Sequence, residues 1–261
     1  LLGSTDLVLR IVPVVSSVLV LLVAYRLSLL VLDSLAGRAT FLGLLACAPV
    51  LIYYSSEYKQ YASDVLASLL ILWAGLRYDR QRYGLAILAA VGAFSLWFSH
   101  PALFTMAAVG AVLAVEVIAR RQWRKLLPLA GVAVVWLLSF GADYLLSLRA
   151  LAGNHSLIAY WRLGYAPVLI DSLTELRWYW DSALGFVFMA FGERSLVDPL
   201  PRPEWFGPLN LALLGIVVAG MARLFFQSRR MAGFALLSVA FTLMASGLKL
   251  YPFRARLILF L

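Results

Sequence analysis

Tyr53-Tyr54-Ser55-Ser56-Glu57-Tyr58-Lys59-Gln60-Tyr61-Ala62-Ser63-Asp64 stands between two apolar runs, 39–55 and 61–77. Each run is close to the length that crosses bilayer hydrocarbon, about 17–25 residues. The interruption carries two carboxylates, one ammonium and four tyrosines. Ionisable groups near hydrocarbon cost roughly 2.5–3.5 kcal/mol each on insertion scales, so they usually mark a site rather than filler. This pattern predicts two membrane helices meeting at a wet rim.

The same alternation continues outward along the chain. Apolar runs fall near 8–32, 39–55, 61–77, 83–99, 101–119, 126–147, 208–226 and 231–249, and a ninth begins at about 255. They predict an all-α, polytopic transmembrane helical bundle of about eight to nine spans, read as one domain over 1–261. The stretch 148–207 is expected to be an extracytoplasmic loop with short interfacial helices. Hydrophobic residues make up 63% of the chain and charged residues 13%, with a mean hydropathy of +0.90. A soluble domain is nearer half apolar and a quarter charged. The net charge of +9 falls in short clusters between apolar runs, with no continuous basic face, which argues against a nucleic-acid partner. Cys47, the lone cysteine, lies in an apolar run and is expected to be a small packing residue. The chain starts at Leu1 and stops a few residues into the ninth run, the pattern expected of an interior piece of a longer protein.

The connections alternate in charge. Arg77, Arg80 and Arg82 crowd one link, Arg120, Arg121, Arg124 and Lys125 a second, and Arg223, Arg229 and Arg230 a third. The positive-inside rule makes their shared face cytoplasmic. The tyrosine-rich segment, the Ser99-His100-Pro101 turn, the loop 148–207 and Lys249–Arg256 are then all outward, at a multi-pass protein of a bacterial inner or plasma membrane. Residue 1 is also outward, which implies an odd number of spans before it.

If the third helix begins by Glu57, then Glu57, Tyr61, Asp64 and Ser68 form one polar stripe, with Lys59 pointing elsewhere. The plain alternative is helix capping, buried pairing of Asp64 and a snorkelling Lys59. Lys249-Leu250-Tyr251-Pro252-Phe253-Arg254-Ala255-Arg256 sets a rigid aromatic corner before two guanidinium groups. Arginine forks suit phosphate oxygens, although basic residues at helix ends also anchor to head groups. His100 is a proton carrier, a phosphate donor or a structural residue, and Asp143 near the outer end of its span is a further candidate. The aromatics of the outer loop, including Tyr160, Trp161, Tyr165, Trp178, Tyr179, Trp180, Trp205 and Phe206, fit an interfacial belt, with a minority free to contact an acceptor. Asn154-His155-Ser156 matches a glycosylation triplet. Glycine-rich phosphate loops, zinc-spaced Cys/His clusters and His-Glu-x-x-His are absent from the sequence.

Four segments together resemble the family 39 branch of membrane glycosyltransferases with the C-type fold, which includes protein O-mannosyltransferases and the aminoarabinose transferase acting on lipid A. They are Leu9-Arg10-Ile11-Val12-Pro13, Ile52 through Asp64, Tyr160-Trp161 with Gly164-Tyr165-Ala166-Pro167, and Lys249 through Leu257. The resemblance implies transfer of a sugar from a polyprenyl-phosphate-linked donor to a lipid, glycan or protein acceptor on the non-cytoplasmic side, with inversion. It implies donor-phosphate binding by Lys59, Arg254 and Arg256, and acceptor positioning or cavity shaping by Glu57, Tyr61, Asp64, His100 and Tyr251. An arginine–aspartate pair of the mannosyltransferases is matched by Lys59 and Asp64, which keeps the charge but not the guanidinium fork. The family's catalytic carboxylate is expected upstream of Leu1. No cofactor is called for, and a divalent metal stays compatible. The alternative from another class is a transporter or flippase for a lipid-linked or anionic substrate. Charges clustered at one rim and the lack of a half-repeat count against it.

Overall fold

The computed structural model describes residues 6–57, 59–149, 155–189 and 206–261. Every regular element among them is helical. Asp6–Val31 is α1, Leu35–Cys47 α2, Pro49–Ser56 α3, Tyr61–Arg77 α4, Gly84–Ser95 α5, Ala102–Ala119 α6 and Leu126–Asp143 α7. His155–Tyr160 is α8, Leu173–Met189 α9, Phe206–Gln227 α10 and Arg229–Gly247 α11. Helix is the natural answer for such a chain, because bilayer hydrocarbon offers no partner for backbone N–H and C=O groups. Local chemistry sets several boundaries. Ser34 caps α2 by accepting from Gly37 N at 3.0 Å, and Pro49 opens α3, where its missing N–H costs nothing. Glu175 caps the start of α9, its Oε2 accepting from the Asp171 amide at 2.9 Å and the Ser172 amide at 3.1 Å.

Among the described residues, four helical stretches are long and apolar enough to cross a membrane: Arg10–Val31, Ala102–Ala119, Trp123–Leu148 and Arg229–Gly247. The pair α2 and α3, bent by 50° at its break, makes up to five. The described residues therefore do not support a count of eight to nine spans. Apolar composition runs on where the helix does not: the expected span 39–55 breaks at Ala48-Pro49. The expected span 83–99 yields the 12 residues of α5, about 18 Å at 1.5 Å per residue, against hydrocarbon about 30 Å thick. The ninth run, of which the chain holds only the first residues, opens with a 3₁₀ turn over Ala255–Ile258. The coarser reading holds, since this is an all-helical bundle with the apolar helices of a membrane protein. Its outward faces are apolar too, with Val18, Leu22, Leu137, Leu138, Ile216 and Val218 exposed, where a water-facing bundle would present charge.

The core lies where α4, α6 and α11 meet. Phe234 is fully buried and packs in one cluster with Ile71, Ala74, Val109 and Leu113. Gly75 lets these helices approach, since a Cβ there would stand 2.8 Å from Val109 Cγ1 and 3.2 Å from Phe234. Cys47 departs from expectation: it is exposed at the end of α2.

The α5–α7 contact is built on Trp136. Its indole Nε1 donates to the carbonyls of Leu88 at 3.3 Å and Ala89 at 3.2 Å, and the ring covers Gly92 so closely that a Cβ there would clash with it. Gly92→Ala is expected to lower unfolding stability by about 1–3 kcal/mol, the usual cost of overpacking. Thermal unfolding in detergent checks this, and an unshifted midpoint would show that the ring gives way freely.

Candidate functional site

The bundle sorts its polar groups to two ends. At one end, Asp79, Arg80, Glu116, Arg120, Arg229 and Arg230 line a common pocket, so the three arginine-rich links do share a face. At the other end, the tyrosine-rich segment meets the Tyr-Pro-Phe corner. Tyr54 and Tyr61 stand edge to face with ring centroids 4.6 Å apart, and both are buried in a cluster with Val50, Phe253 and Ile258. Trp178 and Phe186 of α9 pack against that cluster.

The loop motif containing Gly164 docks on the same corner through Ser246. The Ser246 hydroxyl donates to Gly164 O at 3.3 Å and accepts from Ala166 N at 2.9 Å and Phe253 N at 3.2 Å. The Phe253 amide also donates to Gly164 O at 2.7 Å. Gly164 allows this close approach, since a Cβ there would sit 3.1 Å from that of Arg254 and 3.2 Å from that of Pro252, so one of them would have to shift by a few tenths of an ångström. Three of the four segments that carried the family resemblance thus touch one another. The fourth, with Pro13, lies in the first turns of α1, where the apolar stretch Arg10–Val31 begins.

The predicted site residues divide into buried, paired and exposed groups. Tyr61 and Asp64 on α4 are buried, Asp64 to 4% exposure, and Ser68 continues their face, its hydroxyl 3.1 Å from that of Thr105. Glu57 is not on that stripe. The helix begins at Tyr61, and Glu57 is the extended residue that ends α3, so the four-residue stripe is corrected to three. The Ser99 hydroxyl engages the Asp64 carboxyl, while Asp64 Oδ1 has no hydrogen-bond partner among the described residues. The next residue, His100, places Nε2 3.3 Å from Asp143 Oδ2. This is ion-pair distance without hydrogen-bond alignment. The Asp143 side chain is 6% exposed and that of His100 33%. One tight turn therefore holds two buried carboxylates from different helices.

Tyr251 joins the same group. Its hydroxyl donates to Leu257 O at 2.7 Å, and its ring meets Phe104 edge to face at 5.2 Å. Burial, followed by the nearby Asp64 and Tyr61, pushes its phenol well above the ordinary value, so it stays a donor at any physiological pH. Lys59, before α4, and Arg254, after Phe253, are both exposed, and neither forms an ion pair among the described residues. Arg256 falls on the 3₁₀ turn Ala255–Ile258, and its side chain lies outside the described ones. Lys249 shapes the chain: at φ 58 it takes the left-handed position that ends α11 and turns the backbone toward Tyr251. Asn154 and Trp205 lie outside the described residues.

Ser99 and Ser246 are the residues that sequence reasoning missed. Ser99 was legible only as part of a turn. Nothing in the local pattern distinguishes Ser246 from the other small residues of α11.

No family model matches the chain, and neither a curated protein nor a solved structure does. The family resemblance therefore rests on the quoted segments and on their meeting at one end of the bundle. Among the described residues, no group of three His, Cys, Asp or Glu stands together as a metal site.

Proposed function

We propose that this chain belongs to a multi-pass membrane glycosyltransferase that takes a sugar from a polyprenyl-phosphate carrier and transfers it to an acceptor on the non-cytoplasmic side. The observation that supports it is the gathering of Asp64, His100, Asp143, Tyr251, Lys59 and Arg254 at the end of the bundle away from the arginine-rich links. The positive-inside rule assigns that end to the outside of a bacterial inner or plasma membrane.

The chemistry divides among these groups by their exposure. Lys59 and Arg254 present cations at the rim, where the phosphate of a lipid carrier would lie. They neutralise the charge that develops as the anomeric C–O bond breaks and polyprenyl phosphate departs. Buried Asp64 and the His100–Asp143 pair are polar fixtures behind them, suited to orienting an acceptor hydroxyl or amine for attack from the opposite face. In the resembled family a carboxylate takes the acceptor's proton, and none of these groups is assigned that role here. An apolar groove of about 260 Å³, lined by Ile11, Val15, Leu66, Leu70, Phe94 and Phe98, reaches Ser63 and Ser95 near this end. It offers the prenyl chain a path from the lipid.

The test is transfer from a synthetic polyprenyl-phosphate sugar by the intact protein in vesicles. Lys59→Ala and Arg254→Gln are each expected to lower kcat/KM about tenfold, less than the ~10²–10³ of a water-excluded donor because both side chains are exposed. The glutamine keeps a stem against Gly164, so folding is preserved. Wild-type transfer in both variants removes the phosphate-binding assignment.

A further inference from the structure

The opposite end of the bundle holds a polar pocket that the transfer reading does not use. It encloses about 380 Å³ between the ends of α4 and α6 and the start of α11. Its floor is a closed charge cluster. Arg230 gives its Nε to both oxygens of Glu116 at 3.0 Å and its Nη1 and Nη2 to the two oxygens of Asp79 at 3.1 Å. Those bonds occupy both carboxylates. Arg80, Arg120 and Arg229 also line the pocket, and none of the three forms an ion pair among the described residues. Four guanidinium groups therefore face two carboxylates, leaving the mouth with uncompensated positive charge.

Three further features favour an oxyanion at that mouth. The pocket lies at the N-terminus of the 19-residue α11, the end where a helix dipole favours negative charge. Arg229 is braced rather than loose, its guanidinium 5.8 Å from the centre of the Phe225 ring. Leu30 and Leu76 give the lining an apolar side, which suits a ligand that carries acyl chains as well as charge. Arginine's planar fork is matched to phosphate oxygens.

We propose that this pocket binds the phosphate of an anionic phospholipid headgroup in the leaflet that the arginine end faces. The site is independent of the transfer reading and stands or falls separately from it. Basic pockets between membrane helices on the cytoplasmic side are suited to this role, and each basic group near an anionic surface adds to the attraction.

The experiment compares lipid retention by the intact protein in detergent, titrated with phosphatidylglycerol or phosphatidylcholine and read by native mass spectrometry. Arg80→Gln/Arg120→Gln/Arg229→Gln is expected to weaken phosphatidylglycerol binding roughly tenfold or more, with phosphatidylcholine unchanged. The control Arg82→Gln/Arg121→Gln/Arg124→Gln removes the same charge from the same end outside the pocket, and is expected to keep phosphatidylglycerol binding. Because Arg230 is left in place in both triples, the floor of the pocket survives. Equal loss in the two triples overturns the proposal in favour of diffuse surface attraction. Retention that does not distinguish the two lipids also overturns it. Binding of soluble glycerol phosphate without retention of phosphatidylglycerol overturns the lipid as the source of the phosphate.

Discussion

Arg230→Met is expected to lower the unfolding free energy by about 3 kcal/mol, the low end of the loss when one partner leaves a buried ion pair. The side chains of Arg230, Asp79 and Glu116 are 15%, 28% and 22% exposed, so the two carboxylates left behind recover only part of their hydration. Arg230 also spreads over the Tyr78 ring, 5.4 Å from its centre, and fastens the start of α11 to the ends of both α4 and α6. Burial alone would raise the Asp79 pKa. The hydrogen bond and charge of Arg230 outweigh it and hold the carboxyl below its ordinary value. A carboxyl depressed in the folded state contributes stability that is complete above its unfolded pKa, about 3.9 for aspartate. That contribution is lost as pH falls through the lower folded value. The gap between wild type and Arg230→Met is therefore full at neutral pH and narrows only in acid. Adding Asp79→Asn and Glu116→Gln to Arg230→Met is expected to recover much of the loss, because it removes the stranded charge rather than restoring the fork. Unfolding measured in detergent across pH reads all three, and a triple variant no better than Arg230→Met alone would trace the loss to packing on Tyr78.

That cluster also marks the limit of what the sequence makes legible. Composition and charge alternation are enough to reach an all-helical membrane bundle and the sorting of links to two ends, because both follow from solvent preference averaged over long runs. Arg230, Asp79 and Glu116 were visible only as scattered charges near helix ends. Their meeting depends on how α4, α6 and α11 pack, and no local pattern encodes that. His100 and Asp143 were likewise each legible as candidates but not as a pair, since 43 positions separate them. The error over Glu57 has a different cause. A polar stripe at helical spacing presumes that the helix has already started, and here α3 ends and α4 begins within the very segment used to read the stripe. The count of eight to nine spans finds no support among the described helices for a related reason: hydropathy reports which residues tolerate lipid, not where the hydrogen-bonded ladder breaks.

Asp64→Asn is expected to cut the proposed sugar transfer about a hundredfold while leaving the unfolding midpoint unchanged or higher. Asp64 sits on α4 at 4% exposure, held on one side by Ser99, with Oδ1 lacking a hydrogen-bond partner among the described residues. A buried polar atom without a hydrogen bond costs about 1–3 kcal/mol, and such costs are retained where a reaction or ligand uses the atom. Asparagine matches the shape and removes the charge, so a residue kept for structure and one kept for function respond in opposite ways. If Asp64 orients an acceptor, the variant folds as well as wild type and fails in transfer, since a misplacement of about 1 Å can cost 10²-fold. If Asp64 only ties α4 to the Ser99 turn, stability falls first and activity follows it. Asp143→Asn provides the comparison within the same turn. Its carboxylate already has His100 at 3.3 Å, so losing the charge relaxes a pair rather than emptying a poised site, and the expected loss is smaller. Negligible and equal losses in the two variants, with transfer itself demonstrated, would reduce both carboxylates to packing. The rim cations Lys59 and Arg254 would then carry the phosphate chemistry alone.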